Sequence, residues 1–233
     1  MDPAAASPSP HAVELDALRL LTLVHQLGEP LAEENEALLR GEQRLLALDH
    51  LLRHPETLAL LLIDASERLP ELAEKRGSLR RRLRWLLSAE NPPPAPAFRR
   101  ARARSPGGER PLTFVELTLP WRRRDDALAH LTCRSLLVVE KIGTQPPLLA
   151  YRLKARGAEL LEQRFYPGVK IAAAYLKQCA AIREYLPDWP LLDFEARLQA
   201  IADRLEALRR EDQLPRELDV IPIYFERVFR EKL

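Results

Sequence analysis

"LLVVEKIGTQPPLLAYRLKARGAELL", Leu136 to Leu161, decides how this chain is read. Leu136 to Lys141 is a β-type run, and Ile142 to Pro147 is a turn cluster with Gly143 and two prolines. Leu148 to Leu153 is a second strand, and Lys154 to Gln163 begins a helix. Directly upstream, "PWRRRDDALAHL" (Pro120 to Leu131) opens a helix predicted from about Arg122 to Arg134. The order is therefore helix, strand, proline-bearing turn, strand, helix.

The rest of the sequence reads as helical. Leu15, Leu18, Leu21, Val24 and Leu27 recur at helical spacing, and Gly28 with Pro30 closes that helix. From Leu31 to His54, Leu38, Leu45 and Leu52 repeat every seven residues with Leu39 and Leu46 beside them, which predicts one amphipathic helix ended by Pro55. A short helix is expected from Glu56 to about Ala65, with "LALLLI" (Leu58 to Ile63) in the core, and a long one from Pro70 to about Leu87. "ENPPPAPAFRRARARSPGGERP" (Glu90 to Pro111) is too rich in Pro, Gly, Ala and Arg for regular structure and reads as a linker. Two more helices are expected at about Val169 to Tyr185 and Asp193 to Glu211. The tail is apolar and aromatic at Ile221, Ile223, Tyr224, Phe225, Val228 and Phe229, so it must dock on the body or on a partner.

The expected architecture is mainly α with a small β-wing. Residues 1–11 read as a disordered tail, 12–89 as an N-terminal helical domain and 90–111 as the linker. Residues 112–166 read as a winged helix-turn-helix-like domain, from the element order above, and 167–233 as a C-terminal helical region.

Composition bounds the function. The 233 residues are 46% apolar with only 8 glycines, which suits packed helices. Net charge is +2, yet the segment from Arg76 to Arg124 carries thirteen arginines against Glu90, Glu109 and Glu116, leaving it at +10 and the remainder at −8. Such a local excess suits a polyanion or an acidic protein face; a solvated basic linker is the bland alternative. Cys133 and Cys179 have no metal or redox spacing and read as small core residues in a reducing, cytoplasmic setting. The N-terminus shows no export signal, and no apolar run approaches a membrane span.

Motifs for chemistry are scarce. There is no phosphate-binding Gly-x4-Gly-Lys-Ser/Thr loop and no Gly-x-Ser-x-Gly elbow. Glu140-Lys141 and Glu231-Lys232 are isolated dipeptides. His50 and His54 lie four apart on a helix, and His130 and Cys133 three apart on another. Those four could bind zinc only if two domains met, and the glutamate a hydrolase needs between His50 and His54 is missing. Neither a metal nor a cofactor is expected. Asp49 and Arg53 read as a helical ion pair.

Trp121 with Arg122, Arg123 and Arg124 is open to three readings: base readout in the major groove, phosphate or partner contact without readout, or a core tryptophan with a solvated first turn. Arginine at a helix N-terminus opposes the macrodipole, and Asp125 and Asp126 would repel phosphate. The expected contact residues for DNA, phosphate or partner are Arg99, Arg100, Arg102, Arg104, Arg122, Arg123 and Arg124. Trp121, Tyr224, Phe225 and Phe229 are the expected partner-docking residues.

Two blocks carry a resemblance. In "LLRGEQRLLALDHLLRHPETLALLL" (Leu38 to Leu62) they are Arg44-Leu45, Leu48-Asp49, His50-Leu51, Arg53, His54, Pro55 and Leu58-Ala59. Later come Pro120-Trp121 and Arg134-Ser135-Leu136, then Tyr151, Arg152, Leu153 and Gly157 in the places of a winged helix's closing strand and helix. Together they cover about a third of the chain. The sequence resembles the accessory (middle) components of bacterial ABC-three-component systems, including Lamassu-type anti-phage defence. It departs from them at His50, where an aromatic is expected, and at Arg122, where an acid is expected. The resemblance implies a kleisin-like, non-catalytic winged-helix subunit that bridges an SMC- or Rad50-like ATPase and an effector such as a nuclease, with DNA contact through the complex. A free-standing winged-helix transcriptional regulator is the alternative, and a metal hydrolase built on His50 and His54 the third.

Overall fold

The computed structural model describes residues 10–32, 35–88, 121–143, 147–211 and 221–233. Of the tail expected at 1–11, residues 1–9 lie outside the described residues, while Pro10 and His11 open the first helix and correct that bound; the linker expected at 90–111 lies outside the described residues. The described chain is mostly helical with a small four-stranded antiparallel sheet. It divides into two compact units, each made of two stretches: Met1–Asp49 with Thr118–Leu176, and His50–Leu117 with Lys177–Leu233. The contiguous division expected from the sequence therefore differs from the observed one, because the first helices and strands find their partners more than a hundred residues downstream.

In the first unit, α1 (Pro10–Leu27) leads to β1 (Glu29–Pro30), β2 (Ala37–Arg40) and the start of α2 (Glu42–Arg53). The chain returns to this unit with α5 (Trp121–Cys133), β3 (Leu137–Ile142), β4 (Leu148–Leu153) and α6 (Ala155–Leu160). The α6 helix continues through a π-helical turn, Leu161–Phe165, to a last turn at Tyr166–Gly168. The sheet order is β1-β2-β4-β3, all antiparallel. The β3–β4 hairpin runs from Leu137 opposite Leu153 to Ile142 opposite Leu148.

The strand β2 corrects the helix expected across Leu31 to His54. Leu38 and Leu39 lie opposite Arg152 and Tyr151 of β4. An isolated hairpin leaves one edge of β4 with unpaired backbone groups, and β2 satisfies them. Gly41 makes the switch from strand to helix: its φ is +95°, its N–H bonds the Leu149 carbonyl at 2.8 Å, and its own carbonyl receives Leu45 N at 3.1 Å. Around the sheet, α1 packs on α5, β2 and β4, and α5 packs on β3. Leu39, Leu137, Tyr151 and Leu153 are buried in that layer.

Gly157 has a steric role. A Cβ there would lie 2.5 Å from the Leu136 carbonyl oxygen and 2.8 Å from Leu153 Cδ1. That carbonyl is fixed by Lys154 N at 3.1 Å. Alanine would gain up to about 1 kcal/mol of helix propensity, but the clash is with backbone that cannot yield. We expect Gly157→Ala to lower stability by about 2 kcal/mol, as overpacking does. A urea midpoint equal to or above wild type would contradict this.

In the second unit, the rest of α2 precedes α3 (Pro55–Arg68), a 3-10 turn at Pro70–Lys75 and α4 (Arg76–Leu86). The helix expected from Pro70 thus begins properly only at Arg76. The unit is completed by most of α7 (Lys170–Tyr185), by α8 (Phe194–Glu211) and by α9 (Ile221–Phe229). Its centre is α3, where every residue from Leu58 to Ile63 is buried, as the "LALLLI" run predicts. The helices α4, α8 and α9 pack on it.

Candidate functional site

The arginine-led turn of α5 was the sharpest functional signal in the sequence, and Arg124 departs from it. Arg124 is 7% exposed, with Nη1 2.7 Å from Glu42 Oε1 and Nη2 3.0 Å from Asp125 Oδ1. It is an internal clamp joining α5 to the start of α2 and is not available to phosphate, which corrects the expected contact. The cause is helical phase: Arg124, Ala127 and Leu131 stand at i, i+3 and i+7, and all three are buried. Asp125 and Asp126 are exposed. Trp121, Arg122 and Arg123 occupy the first turn of α5, but their side chains lie outside the described set. Arg99, Arg100, Arg102 and Arg104 lie outside the described residues altogether.

The aromatic tail is also corrected. Tyr224, Phe225 and Phe229 are buried on α9, which packs on α3. Phe225 and Phe229 touch at 4.8 Å between ring centroids, Arg76 covers the Phe229 ring and Arg204 the Tyr224 ring. The tail docks on its own unit, so these residues offer a partner no surface. Exposed large apolar side chains lie elsewhere, at Val139 and Leu148 on the hairpin, at Val169, and at Leu191, which is 90% exposed. Glu140 and Arg152 pair across the hairpin at 3.0 Å.

The histidine expectations divide. His50 and His54 stack with ring centroids 4.3 Å apart, as neighbours one turn apart should. Among the described residues, no group of three or more His, Cys, Asp or Glu side chains could hold a metal. Cys179 is buried, as expected, whereas Cys133, the last residue of α5, is exposed.

Three polar clusters join residues that stand far apart in the sequence. In the first unit, Arg19 is buried with Nε 2.7 Å from Asp49 Oδ1 and Nη2 2.8 Å from Asp16 Oδ1. Burial works against its charge, but the attraction of Asp49, Tyr175 and Asp16 outweighs it, and the guanidinium is held above its ordinary pKa. Arg19, thirty residues before Asp49, meets it at 2.7 Å, a pairing that helical spacing does not reveal. In the second unit, Asp64 is nearly sealed and meets Arg68 at 3.0 Å, Arg197 at 3.4 Å and Arg204 at 3.5 Å. Near the end of α1, His25 Nδ1 lies 2.8 Å from the Tyr166 hydroxyl and Nε2 3.4 Å from Glu162. This line of groups ties α1 to the π-helical turn.

Burial raises several acids. It pushes the Tyr151 phenol up to about 12, helped by Glu42, and the Tyr224 phenol and the Cys179 thiol also up to about 12. Each folded value lies above the ordinary one, 10.0 for tyrosine and 9.0 for cysteine. The stability these groups contribute is therefore fully present below about pH 9 and is lost as pH rises through about 12. We expect the urea midpoint to be lower at pH 10.5 than at pH 8, roughly a pH unit and more above the point where unfolded cysteine ionises. A midpoint flat across that interval would contradict the burial of these groups.

No helix among the described residues is long and apolar enough to cross a membrane. No protein-family model, curated protein or solved structure matches this chain.

Proposed function

We propose that this chain is a non-catalytic accessory subunit of an SMC- or Rad50-like ATPase complex in anti-phage or anti-plasmid defence. In this reading it bridges the ATPase and an effector such as a nuclease, and it adds DNA contact. The supporting observation is topology. Helix α1, strand β2 and helix α2, then helix α5 and the β3–β4 hairpin, with sheet order β2-β4-β3, follow the element order of a winged helix. Between its second and third helices the chain makes α3, α4 and the residues up to 120, in place of the short turn of a simple DNA reader. A winged helix split by a second helical unit suits a scaffold that holds partner subunits. It adds to the resemblance of Leu38 to Leu62 and Pro120 to Leu136 to defence-system accessory subunits.

The state of α5 argues against sequence readout. The helix that would enter a major groove has one arginine of its first turn, Arg124, bound internally to Glu42 and Asp125. It also exposes Asp125 and Asp126, which repel phosphate. The test is a specificity ratio. Affinity for fragments of the host's own promoter regions is compared with affinity for random duplex at the same salt. We expect ratios within about tenfold, against the roughly 10³-fold or more of a dedicated reader. A ratio in the reader's range would overturn the adaptor reading in favour of a free-standing regulator.

A further inference from the structure

Helix α4 carries a cationic face that the α5 reading does not use. Its sequence, RGSLRRRLRWL from Arg76 to Leu86, holds five arginines and no acid. Leu79, Leu83 and Leu86 are buried, which turns the helix so that Gly77, Arg80, Arg81 and Arg84 share the opposite stripe at i, i+3, i+4 and i+7. Arg81 and Arg84 are exposed and Arg80 is half-buried. A Cβ at Gly77 would meet nothing within 4 Å among the described residues.

The arginines of this stripe are unlike their neighbours. Elsewhere in the second unit, Arg68, Arg82, Arg197, Arg204, Arg210 and Arg227 each meet a carboxylate. Among the described residues, none lies within ion-pair distance of Arg80, Arg81 or Arg84. Arg76 and Arg80, and Arg80 and Arg84, stand four apart as like-charge pairs, which weakens an isolated helix. A fourth cation joins them: the exposed Lys177 ammonium sits 4.9 Å above the ring of Trp85, which follows Arg81 by one turn.

We infer that this α4 face, Arg80, Arg81 and Arg84 with Lys177, binds the phosphate backbone of nucleic acid. The inference deepens the DNA contact in the adaptor reading by placing it on the second unit. A protein-docking face has an apolar, aromatic centre and few charges there. This stripe has the reverse character, since its one aromatic is half-buried beneath a lysine. Repeating cations about 6 Å apart along a helix suit a repeating anion and need no base geometry.

The experiment uses the full chain and a fluorescent duplex of about 30 base pairs of random sequence, titrated from roughly 50 to 200 mM salt. Arg80→Gln/Arg81→Gln/Arg84→Gln is compared with a control that removes three exposed cations elsewhere in the same unit, Arg210→Gln/Arg230→Gln/Lys232→Gln. Far-ultraviolet circular dichroism confirms that both variants are folded. The α4 variant should lose tenfold or more in affinity, and its slope of log affinity against log salt should fall by about 2.7, from three lost phosphate contacts. The control should keep the wild-type slope. An unchanged slope in the α4 variant, an equal loss in the control, or no binding by the wild-type chain would each overturn the inference. So would displacement of the duplex by polyglutamate at equal charge, which would assign the face to an acidic protein. None of these outcomes bears on whether an ATPase is the partner.

Discussion

Arg19→Met should be the most damaging single substitution in the first unit, lowering stability by roughly 3–5 kcal/mol. Methionine fills most of the same space, so the loss is electrostatic. Asp16 and Asp49 are 2% and 1% exposed and would be left without the cation that lies 2.8 and 2.7 Å away. Short carboxylate side chains cannot reach water from there. The melting temperature should fall by about 6–20 °C, given about 2–4 °C per kcal/mol for a chain of this size. The electrostatic origin shows in a double-mutant cycle: Asp49→Asn should cost much less in the Arg19→Met background than in the wild type. Additive costs would mean that the cluster is held together by packing alone.

Asp64→Ala should be the corresponding substitution in the second unit, with a smaller cost of roughly 3 kcal/mol. The geometry explains the difference. Removing Asp64 strands cations, and these are partly exposed and long enough to carry their charge to solvent. Arg204 also keeps Glu67 at 2.7 Å and its place over the Tyr224 ring. The cost comes chiefly from Arg68 and Arg197, whose carboxylate lies at 3.0 and 3.4 Å. Because α3 carries both Asp64 and the contacts to α8 and α9, the tail should loosen. Limited proteolysis should cut near α9 sooner than in wild type; an unchanged rate there would show that the aromatic packing holds the tail by itself.

The helix ahead of the hairpin, the hairpin and the helix after it were legible because two periodicities and a turn signal meet within Trp121 to Leu160. Strand β2 was not, since a run of four residues cannot separate the two periods, and Leu38 fell in phase with Leu45 and Leu52. What makes it a strand is the open edge of β4, more than a hundred residues away. The split units have the same cause. At the site, Arg124 was indistinguishable from Arg122 and Arg123 by residue type, but its phase with Ala127 and Leu131 was readable and marks it as internal. The aromatic tail was legible as a segment that must dock on the body or on a partner; that it forms α9, and which surface its apolar face meets, are facts of the fold. Arg19 shows in sequence only Asp16, three residues before it, because Asp49 comes from another helix.

The central claim is that the chain works as a bound subunit, and co-purification from its native host tests it most directly. The tagged full-length protein would be isolated under gentle conditions and its partners identified by mass spectrometry. The account predicts recovery of an SMC- or Rad50-like ATPase together with an effector, in fixed ratio. Recovery of no ATPase, together with a sequence-specific footprint beside the chain's own promoter, would contradict it.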